Sequence, residues 1–261
     1  MAPNWVEQGD LPMVDKTAIV TGAGRGIGAA TALLAADHGY GVCVNYLHNK
    51  AAADDVVRKI RERGGRAIAV GADVSKEADV IDMFETADQE LGVLSALVNN
   101  AGILAPQMRV DAMDAGRIDR IMRTNVTGCF MCARQAVKRM SSAYGGKGGA
   151  IVNVSSMASK LGSPGEYVDY AASKAAVDAL TIGLAGEVAA EGIRVNAVRP
   201  GIIYTDIHAS GGEPGRVDRV KAGVPMQRGG HPEEVAEAII WLLSDAASYS
   251  TGCFIDVSGG R

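Results

Sequence analysis

The sequence is poor in cysteine, in aromatic side chains and in excess charge of either sign. Its 261 residues include four cysteines, 5% are aromatic, and 26 basic against 30 acidic side chains leave a formal net charge of -4. Four cysteines do not suggest a fold built on disulfides. A mildly acidic chain without a basic stripe lacks the cations that neutralise nucleic-acid phosphates. We therefore expect neither a disulfide-rich scaffold nor a nucleic-acid-binding protein.

The sequence also lacks a long apolar run. A membrane-spanning helix needs about 20 apolar residues, and no such stretch occurs. Residues 1–12 are polar and interrupted by proline, without the hydrophobic region of a secretory signal. We expect a loose tail over residues 1–14, no membrane partner and a cytoplasmic protein. No repeat, low-complexity tract or block of charge divides residues 15–261, which we predict to form one domain.

Two cysteines, Cys129 and Cys132, form a Cys-x-x-Cys sequence that could be a redox pair. They lie in the middle of a helical pattern, whereas a reactive thiolate is stabilised at a helix N-terminus. We interpret them as two buried thiols on one helix face. The histidines His38, His48 and His231 show no metal-ligand spacing, and we expect no metal.

Glycine is abundant, with 33 residues, and short apolar runs recur along the chain. These runs are nearly continuous, which is typical of strands buried on both faces. Helical patterns lie between them, and glycines that end four of these helices are Gly39, Gly64, Gly92 and Gly192. The alternation predicts an α/β fold, a doubly wound Rossmann domain with a parallel sheet of about seven strands and helices on both faces. The strands are predicted at 17–20, 42–46, 67–70, 96–98, 151–155, 194–198 and 253–257.

The first predicted strand is followed by Thr21-Gly-Ala-Gly-Arg-Gly-Ile-Gly28 and then directly by a helix. Glycines at such a turn let the backbone approach a pyrophosphate, which then rests on the helix N-terminus. The spacing fits Thr-Gly-x-x-x-Gly-x-Gly, with Gly22, Gly26 and Gly28, because Ile27 falls where the third glycine of G-x-G-x-x-G would be. Strand, turn and helix in this order predict a dinucleotide site.

A second motif joins an apolar run that ends in Ser155 and Ser156 to Tyr170-Ala-Ala-Ser-Lys174. On a helix, Tyr170 and Lys174 lie on one face, a single turn apart. If the strand ends beside that turn, either serine can reach the phenol, and the residues alone do not separate the two. A hydroxyl, a phenol and an ammonium group at one point are suited to moving a proton to or from a substrate oxygen.

The chemistry of this second motif depends on the pKa of Tyr170. A free tyrosine titrates near ~10 and is a poor base at neutral pH. A neighbouring ammonium group and the positive ring of an oxidised nicotinamide both favour the phenolate. A pKa of about 7 would require roughly 4 kcal/mol of preferential stabilisation. We therefore expect Lys174 and a bound cofactor to lower the pKa of the phenol.

Taken together, these motifs resemble the short-chain dehydrogenase/reductase family over nearly the whole chain. The matching segments are the glycine turn 21–28, Ala72-Asp-Val74, Asn99-Asn-Ala-Gly102, Asn125, the serine pair 155–156, Tyr170-x-x-x-Lys174 and Pro200-Gly201. The resemblance implies hydride transfer between a nicotinamide cofactor and a small-molecule carbonyl or alcohol. It also implies that the catalytic base and acid is Tyr170.

The resemblance assigns further roles residue by residue. Ser156 would hold the substrate oxygen, Lys174 would bind the nicotinamide ribose and lower the tyrosine pKa, and Asn125 would support a proton-relay water. Asp73 would meet the adenine, and Asn99 with Gly102 would line the cofactor. The full implied cofactor set is Gly22, Arg25, Gly26, Ile27, Gly28, Tyr46, Asp73, Val74, Asn99, Ala101, Gly102, Tyr170, Lys174, Pro200, Gly201, Ile203 and Thr205.

The end of the second strand bears on which nicotinamide cofactor is bound. An acidic residue there would hydrogen-bond the ribose diol and repel a 2′-phosphate, but the position holds Tyr46. Arg25 is placed to face a phosphate, and Asn45, His48 and Asn49 add polar donors. We expect NADP in preference to NAD.

Small residues recur at three- and four-residue steps after Tyr170: Ala172, Ala176, Ala179, Gly183, Gly186 and Ala190. Glycine inside a helix costs roughly 1 kcal/mol relative to alanine, so the stripe indicates close helix packing. That packing could be internal, against the sheet. The resemblance implies instead that this helix and the preceding one, about 116–141, pair across a dimer, often within a tetramer. We expect a homo-oligomer.

Residues 202–228 are rich in turn formers and long for a simple connection. Long ordered loops are often lids, and we expect this segment to close over the substrate, with Thr205 near the cofactor amide. His208, within it, could contact the substrate, but we interpret it as a surface residue.

Three functions remain open from the sequence. A 3-oxoacyl-carrier-protein reductase would need a basic docking patch, for which Arg117, Arg120 and Arg123 are candidates, although they also suit the solvated side of a helix. A sugar or small-alcohol dehydrogenase suits the polar run that ends at Tyr167. A non-catalytic NADP-binding sensor is the third, and the intact set of catalytic residues argues against it.

Overall fold

The computed structural model describes residues 16–261, and the predicted tail 1–14 lies outside the described residues. Seven strands form one sheet in the order β3-β2-β1-β4-β5-β6-β7, and every neighbouring pair is parallel. The strands are β1 (Thr17–Val20), β2 (Gly41–Tyr46), β3 (Ala67–Gly71), β4 (Leu94–Asn99), β5 (Gly149–Val154), β6 (Ile193–Pro200) and β7 (Phe254–Val257). The predicted doubly wound parallel sheet is confirmed.

Helices lie between the strands. They are α1 (Gly26–Asp37), α2 (Lys50–Glu62), α3 (Glu77–Leu91), α4 (Ala115–Met122), α5 (Gly128–Met140), α6 (Ala158–Leu161), α7 (Val168–Val188), α8 (Ile207–Ser210), α9 (Arg216–Val220) and α10 (Pro232–Leu243). The glycines that were expected to end four of the helical segments all have positive φ, between +82° and +94°.

The core has two layers because successive side chains of a buried strand point to opposite faces of the sheet. On one face, Ala18 and Val20 of β1 pack with α1, α2 and α10. On the other face, Ile19 packs with α3, α5 and α7. Burial of both faces explains why the strands read as continuous apolar runs.

The helix predicted over about 116–141 is interrupted. Residues Arg123–Thr127 form a π-helical segment between α4 and α5. Cys129 and Cys132 follow it in α5, buried as predicted, and burial raises the pKa of the Cys129 thiol to about 12. Neither thiol is therefore a reactive thiolate.

Residues 202–228 are not a plain loop, because they contain α8 and α9. Within residues 16–261, no helix is both long enough and apolar enough to cross a membrane.

Candidate active site

A cavity of about 970 Å³ lies over the carboxyl ends of the strands. The strand order reverses between β1 and β4, which is where parallel α/β sheets bind their ligands. The cavity walls come from the glycine turn after β1, the ends of β2, β4, β5 and β6, the start of α7 and the segment 202–216. The two motifs singled out in the sequence thus meet at one cavity.

The glycine turn needs its glycines for two different reasons. Gly22 and Gly26 have φ of +63° and +55°, a backbone conformation that other residues adopt at a cost. At Gly28 a Cβ would lie 2.6 Å from the carbonyl oxygen of Gly22, so any side chain would push α1 away from the turn. No side chain caps the N-terminus of α1. Free N–H groups at a helix start, reached by a backbone without side chains, fit a pyrophosphate.

Three polar side chains, two of them buried and one half-buried, hold this turn in place. Thr21 Oγ1 accepts hydrogen bonds from the backbone N–H groups of Asn100 and Ala101, both at 2.9 Å. The Asn100 amide donates to the carbonyl oxygens of Thr21 (2.8 Å) and Gly22 (3.1 Å). The Asn45 side chain accepts from Gly22 N–H at 3.0 Å and donates to the Ala72 carbonyl at 3.1 Å. The turn is therefore tied to β2 and β4 and is rigid before any ligand binds.

The second motif forms the opposite part of the cavity wall. The Ser156 side chain lies beside the Tyr170 phenol and acts to lower its pKa. Lys174 Nζ lies 5.6 Å from the centroid of the Tyr170 ring and donates to the Val154 carbonyl oxygen at 2.7 Å. The hydroxyl of Ser155 instead donates to the Lys174 carbonyl oxygen at 3.2 Å. The structure thus separates the two serines, because the Ser155 hydroxyl is buried and bonded to the backbone of α7, whereas Ser156 lies beside the phenol.

The pKa of Tyr170 differs from the expectation. Burial raises it to about 12, and the Ser156 side chain lowers it only in part. Burial also lowers the pKa of Lys174 to about 8. For the protein's own groups the pKa of the phenol is raised and not lowered, because desolvation is the largest cause. At neutral pH the phenol is protonated and is therefore a proton donor.

The comparisons with known proteins agree with this geometry. A family model described as enoyl-(acyl carrier protein) reductase matches residues 22–261. The chain belongs to the short-chain dehydrogenase/reductase family. It is accordingly an NAD(P)-dependent dehydrogenase or reductase.

Several curated relatives match almost the whole chain. "Uncharacterized oxidoreductase YgfF" of Escherichia coli (strain K12) is 64% identical, over 94% of this chain and 99% of the relative. Cis-4-hydroxycyclohexanecarboxylate dehydrogenase of Sinomonas cyclohexanicum is 42% identical, over 94% and 96%. The 3-oxoacyl-[acyl-carrier-protein] reductase FabG of Staphylococcus epidermidis is 37% identical, over 95% and 99%.

Most of the residues that the family resemblance implied do line the cavity. They are Gly22, Arg25, Gly26, Ile27, Tyr46, Asp73, Val74, Ala101, Gly102, Ser156, Tyr170, Lys174, Pro200, Gly201, Ile203 and Thr205. Gly28 does not line the cavity. Its lack of a side chain allows α1 to pack closely against the glycine turn.

Two asparagines depart from their implied places in this short-chain dehydrogenase/reductase. Asn99 is buried, and its amide donates to Asn153 Oδ1 at 3.0 Å. Asn125 lies in the π-helical segment, where it accepts from Ile103 N–H at 2.8 Å and donates to the Ile103 carbonyl at 3.1 Å. Neither side chain lines the cavity. Through its two hydrogen bonds to Ile103, Asn125 positions the backbone that follows Gly102. Asn100, and not Asn99, lines the cavity.

Two of the three polar side chains expected near the end of β2 make hydrogen bonds within the protein. The amide of Asn45 is used by the turn, and Asn49 caps α2 by accepting from Ala52 N–H at 3.0 Å. His48 stays exposed and lines the cavity, as does Arg25. The Arg25 guanidinium reaches Ser210 Oγ at 3.2 Å and lies 4.0 Å from an Asp206 carboxylate oxygen.

The environment expected from the sequence was wrong for two basic residues, and a third basic residue of the site was not predicted. His208 is buried rather than at the surface, with Nε2 3.0 Å from the Ile203 carbonyl oxygen. Arg117 is buried in an ion pair with Asp169 at 2.7 Å, while Arg120 and Arg123 are exposed. Arg216, which was not predicted, lines the cavity. Its partner Glu166 is 50 positions away in the sequence, so no local pattern could reveal the pair.

Proposed function

We propose that this protein interconverts a carbonyl and a secondary alcohol by hydride transfer, with Tyr170 as the general acid and base. The observation that carries the proposal is that Tyr170, Ser156 and Lys174 line the same cavity as an uncapped glycine turn, with Lys174 Nζ 5.6 Å from the centroid of the Tyr170 ring. One part of the cavity fits a dinucleotide pyrophosphate. The other part carries a proton donor at neutral pH.

In the reductive direction, the chain's own residues act on the substrate oxygen. Ser156 donates a hydrogen bond to the carbonyl oxygen and orients it, and the Tyr170 phenol gives its proton to that oxygen as negative charge develops. Lys174, buried and cationic, stabilises the phenolate that results. In the oxidative direction the phenolate takes the proton from the alcohol. The nicotinamide, when bound, supplies or accepts the hydride.

The residues that would hold the cofactor follow from the walls of the cavity. The backbone at Gly22 and Gly26 would meet the pyrophosphate, and Asp73 with Val74 would meet the adenine. Asp73 is held in place because its Oδ1 accepts from the Ser75 backbone N–H (3.0 Å) and hydroxyl (2.7 Å). Thr205 lies against Gly26 and would meet the cofactor amide.

We propose NADP as the preferred cofactor. The end of β2 carries Tyr46, whose phenol oxygen would lie 3.1 Å from a Cβ at Gly71, so it packs over the backbone of β3. No carboxylate at this end would repel a 2′-phosphate. The exposed guanidinium of Arg25 and the imidazole of His48 line the same cavity and would meet the phosphate.

We also propose that the protein is a homo-oligomer built on α5 and α7. Around Gly183 and Gly186 a Cβ would meet nothing within 4 Å, so the small-residue stripe is exposed instead of packing on the sheet. Phe130 of α5 and Ile182 of α7 are 50% and 59% exposed. A face of small and large apolar side chains on two helices suits a second copy of the chain.

The structure bears on the two substrate classes. Arg117 cannot dock an acidic carrier protein because it is buried against Asp169, which leaves only Arg120 and Arg123 of the suggested patch. One relative is named a 3-oxoacyl-[acyl-carrier-protein] reductase and another a cis-4-hydroxycyclohexanecarboxylate dehydrogenase. We favour a small polar alcohol or ketone over a carrier-bound acyl chain.

The function is tested by loss of reduced-nicotinamide absorbance with a panel of ketones, in the wild type and in Tyr170→Phe. We expect the variant to lose about 100- to 10,000-fold in kcat, the range of general acid catalysis, and still to bind NADPH. Tyr144→Phe, at a 68% exposed position, is the matched control and keeps full activity. Turnover that is insensitive to Tyr170→Phe would refute the mechanism, and cofactor binding without any turnover would favour a sensor.

A further inference from the structure

Two polar atoms beside the proposed catalytic group are buried without hydrogen-bond partners. Among the described residues, the Tyr167 hydroxyl and His208 Nδ1 have none, although both residues line the cavity. Tyr167 is 3% exposed and His208 is 9% exposed. Because a buried donor or acceptor without a partner destabilises the fold, such atoms at a cavity wall indicate a ligand group that completes them.

The charges around these two atoms cancel. The Arg216 guanidinium lies 5.0 Å from the centroid of the Tyr167 ring and pairs with Glu166 (2.5 Å) and Glu213 (3.1 Å). Arg219, from the same helix, pairs with Glu213 and Glu166 in turn. Two guanidinium groups therefore face two carboxylates, and no excess positive charge is left to attract an anionic substrate here.

The hydrogen bond of His208 fixes what Nδ1 can do. Its Nε2 lies 3.0 Å from the Ile203 carbonyl oxygen, which only accepts, so Nε2 carries the proton and donates it. Burial, together with the charge of Arg216, lowers the pKa of His208, which keeps the ring neutral. In this tautomer Nδ1 is an acceptor. Nδ1 therefore needs a ligand group that donates a hydrogen bond. A hydroxyl donates one, whereas a carboxylate does not.

The Tyr167 hydroxyl complements that requirement, because a phenol can donate to the oxygen of the same ligand hydroxyl. Tyr167 directly precedes α7, three positions before Tyr170, and both side chains line the same cavity. A ligand with one oxygen at Tyr170 can therefore extend a second oxygen toward Tyr167 within that cavity. The two atoms have almost no exposed surface, so contact with a ligand requires the side chains to rotate.

This inference rests on the proposed function. We propose that the substrate carries a second hydroxyl in addition to its reacting group, and that Tyr167 and His208 bind it. The substrate class is then a small polyhydroxylated compound. Tyr167 and His208 determine specificity and take no part in the transfer of the proton.

The test compares cyclohexanol, cis-cyclohexane-1,3-diol and cis-cyclohexane-1,4-diol as substrates with NADP, with cis-4-hydroxycyclohexanecarboxylate as the anionic probe. In the wild type we expect kcat/KM for at least one diol to exceed that for cyclohexanol and for the carboxylate by tenfold or more. In Tyr167→Phe we expect the ratio of the diol value to the cyclohexanol value to fall below threefold. Tyr204→Phe, in the neighbouring segment but outside the cavity wall, is the matched control.

Two further measurements, the melting temperature and the heat of diol binding, distinguish loss of the subsite from unfolding and from loss of turnover. Tyr167→Phe removes only an oxygen without a partner, so its melting temperature should equal or exceed that of the wild type. Calorimetry of diol binding to the NADP complex gives a readout that does not depend on turnover. Tight diol binding that is lost in Tyr167→Phe, without turnover, would support this subsite and refute the proposed function.

Three results would overturn the subsite. They are equal kcat/KM for the diols and cyclohexanol in the wild type, an equal loss for every probe in Tyr167→Phe, and a preference for the carboxylate. If no probe turns over and calorimetry detects no diol binding, the subsite is also refuted. Turnover of cyclohexanol without any diol preference would refute the subsite alone and leave the proposed function standing.

Discussion

At the scale of single residues, the pKa values of Tyr170 and Lys174 decide the chemistry. Burial holds the Tyr170 phenol protonated, with a pKa of about 12, and lowers the pKa of Lys174 to about 8. The motif predicted which side chains meet, because spacing along a helix is local. It could not predict the direction of the tyrosine shift, because desolvation is set by everything that packs around the phenol.

This order of pKa values predicts the pH dependence of carbonyl reduction. Between pH 6 and 7 both groups are protonated, so kcat/KM with NADPH should be constant. Above about pH 8 it should fall, because Lys174 loses its charge before Tyr170 loses its proton. Lys174→Arg, which stays charged, should move the fall above pH 9 even if the rate is lower. A fall centred near pH 7, or one that is unchanged in Lys174→Arg, would contradict this assignment.

At the scale of elements, the sequence predicted every strand of the sheet to within two residues at either end. Continuous apolar runs and glycines after helices are local signals, and they are sufficient for a sheet buried on both faces. The π-helical segment at Asn125 was not predictable, because the side chain is fixed by Ile103 and Ser173, which are distant in sequence. The same holds for α8 and α9, which lie on either side of the run of turn formers at 211–215.

The end of β2 provides a test of cofactor choice at this scale. We expect wild-type KM to be at least tenfold lower for NADP than for NAD. Tyr46→Asp places a carboxylate where the 2′-phosphate would lie, and should raise KM for NADP and lower it for NAD, each by about tenfold, or about 1.4 kcal/mol. Tyr46→Asn, of similar size to aspartate and uncharged, is the control and should not favour NAD. A wild-type preference for NAD would refute the proposed cofactor.

At the scale of the whole molecule, alternation of strands and helices was enough to predict the fold, and the motif order was enough to bring two distant motifs to one cavity. The polar side chains at the Tyr167 end of the cavity were not predictable. Arg216 and Glu166 pair across 50 positions, and His208 is buried by a segment that reads as a surface loop. Such contacts arise only when the chain has folded.

The exposed face of α5 and α7 predicts the state of association. By light scattering at micromolar concentration we expect the wild type to have the mass of at least two chains. Ala179→Arg, in the exposed stripe of α7, should shift the mass toward one chain because a buried guanidinium without a partner is unfavourable. Ala78→Arg, at an exposed position of α3, should leave the mass unchanged. A monomeric wild type would contradict the proposed interface.

The most direct test of the mechanism is a single turnover, in which enzyme with bound NADPH is mixed with excess ketone and loss of the reduced-nicotinamide signal is followed. We predict a rapid first-order decay in the wild type and a rate about 100- to 10,000-fold lower in Tyr170→Phe, since general acid catalysis contributes a factor of that size. Equal decay rates in the two proteins would show that Tyr170 does not transfer the proton.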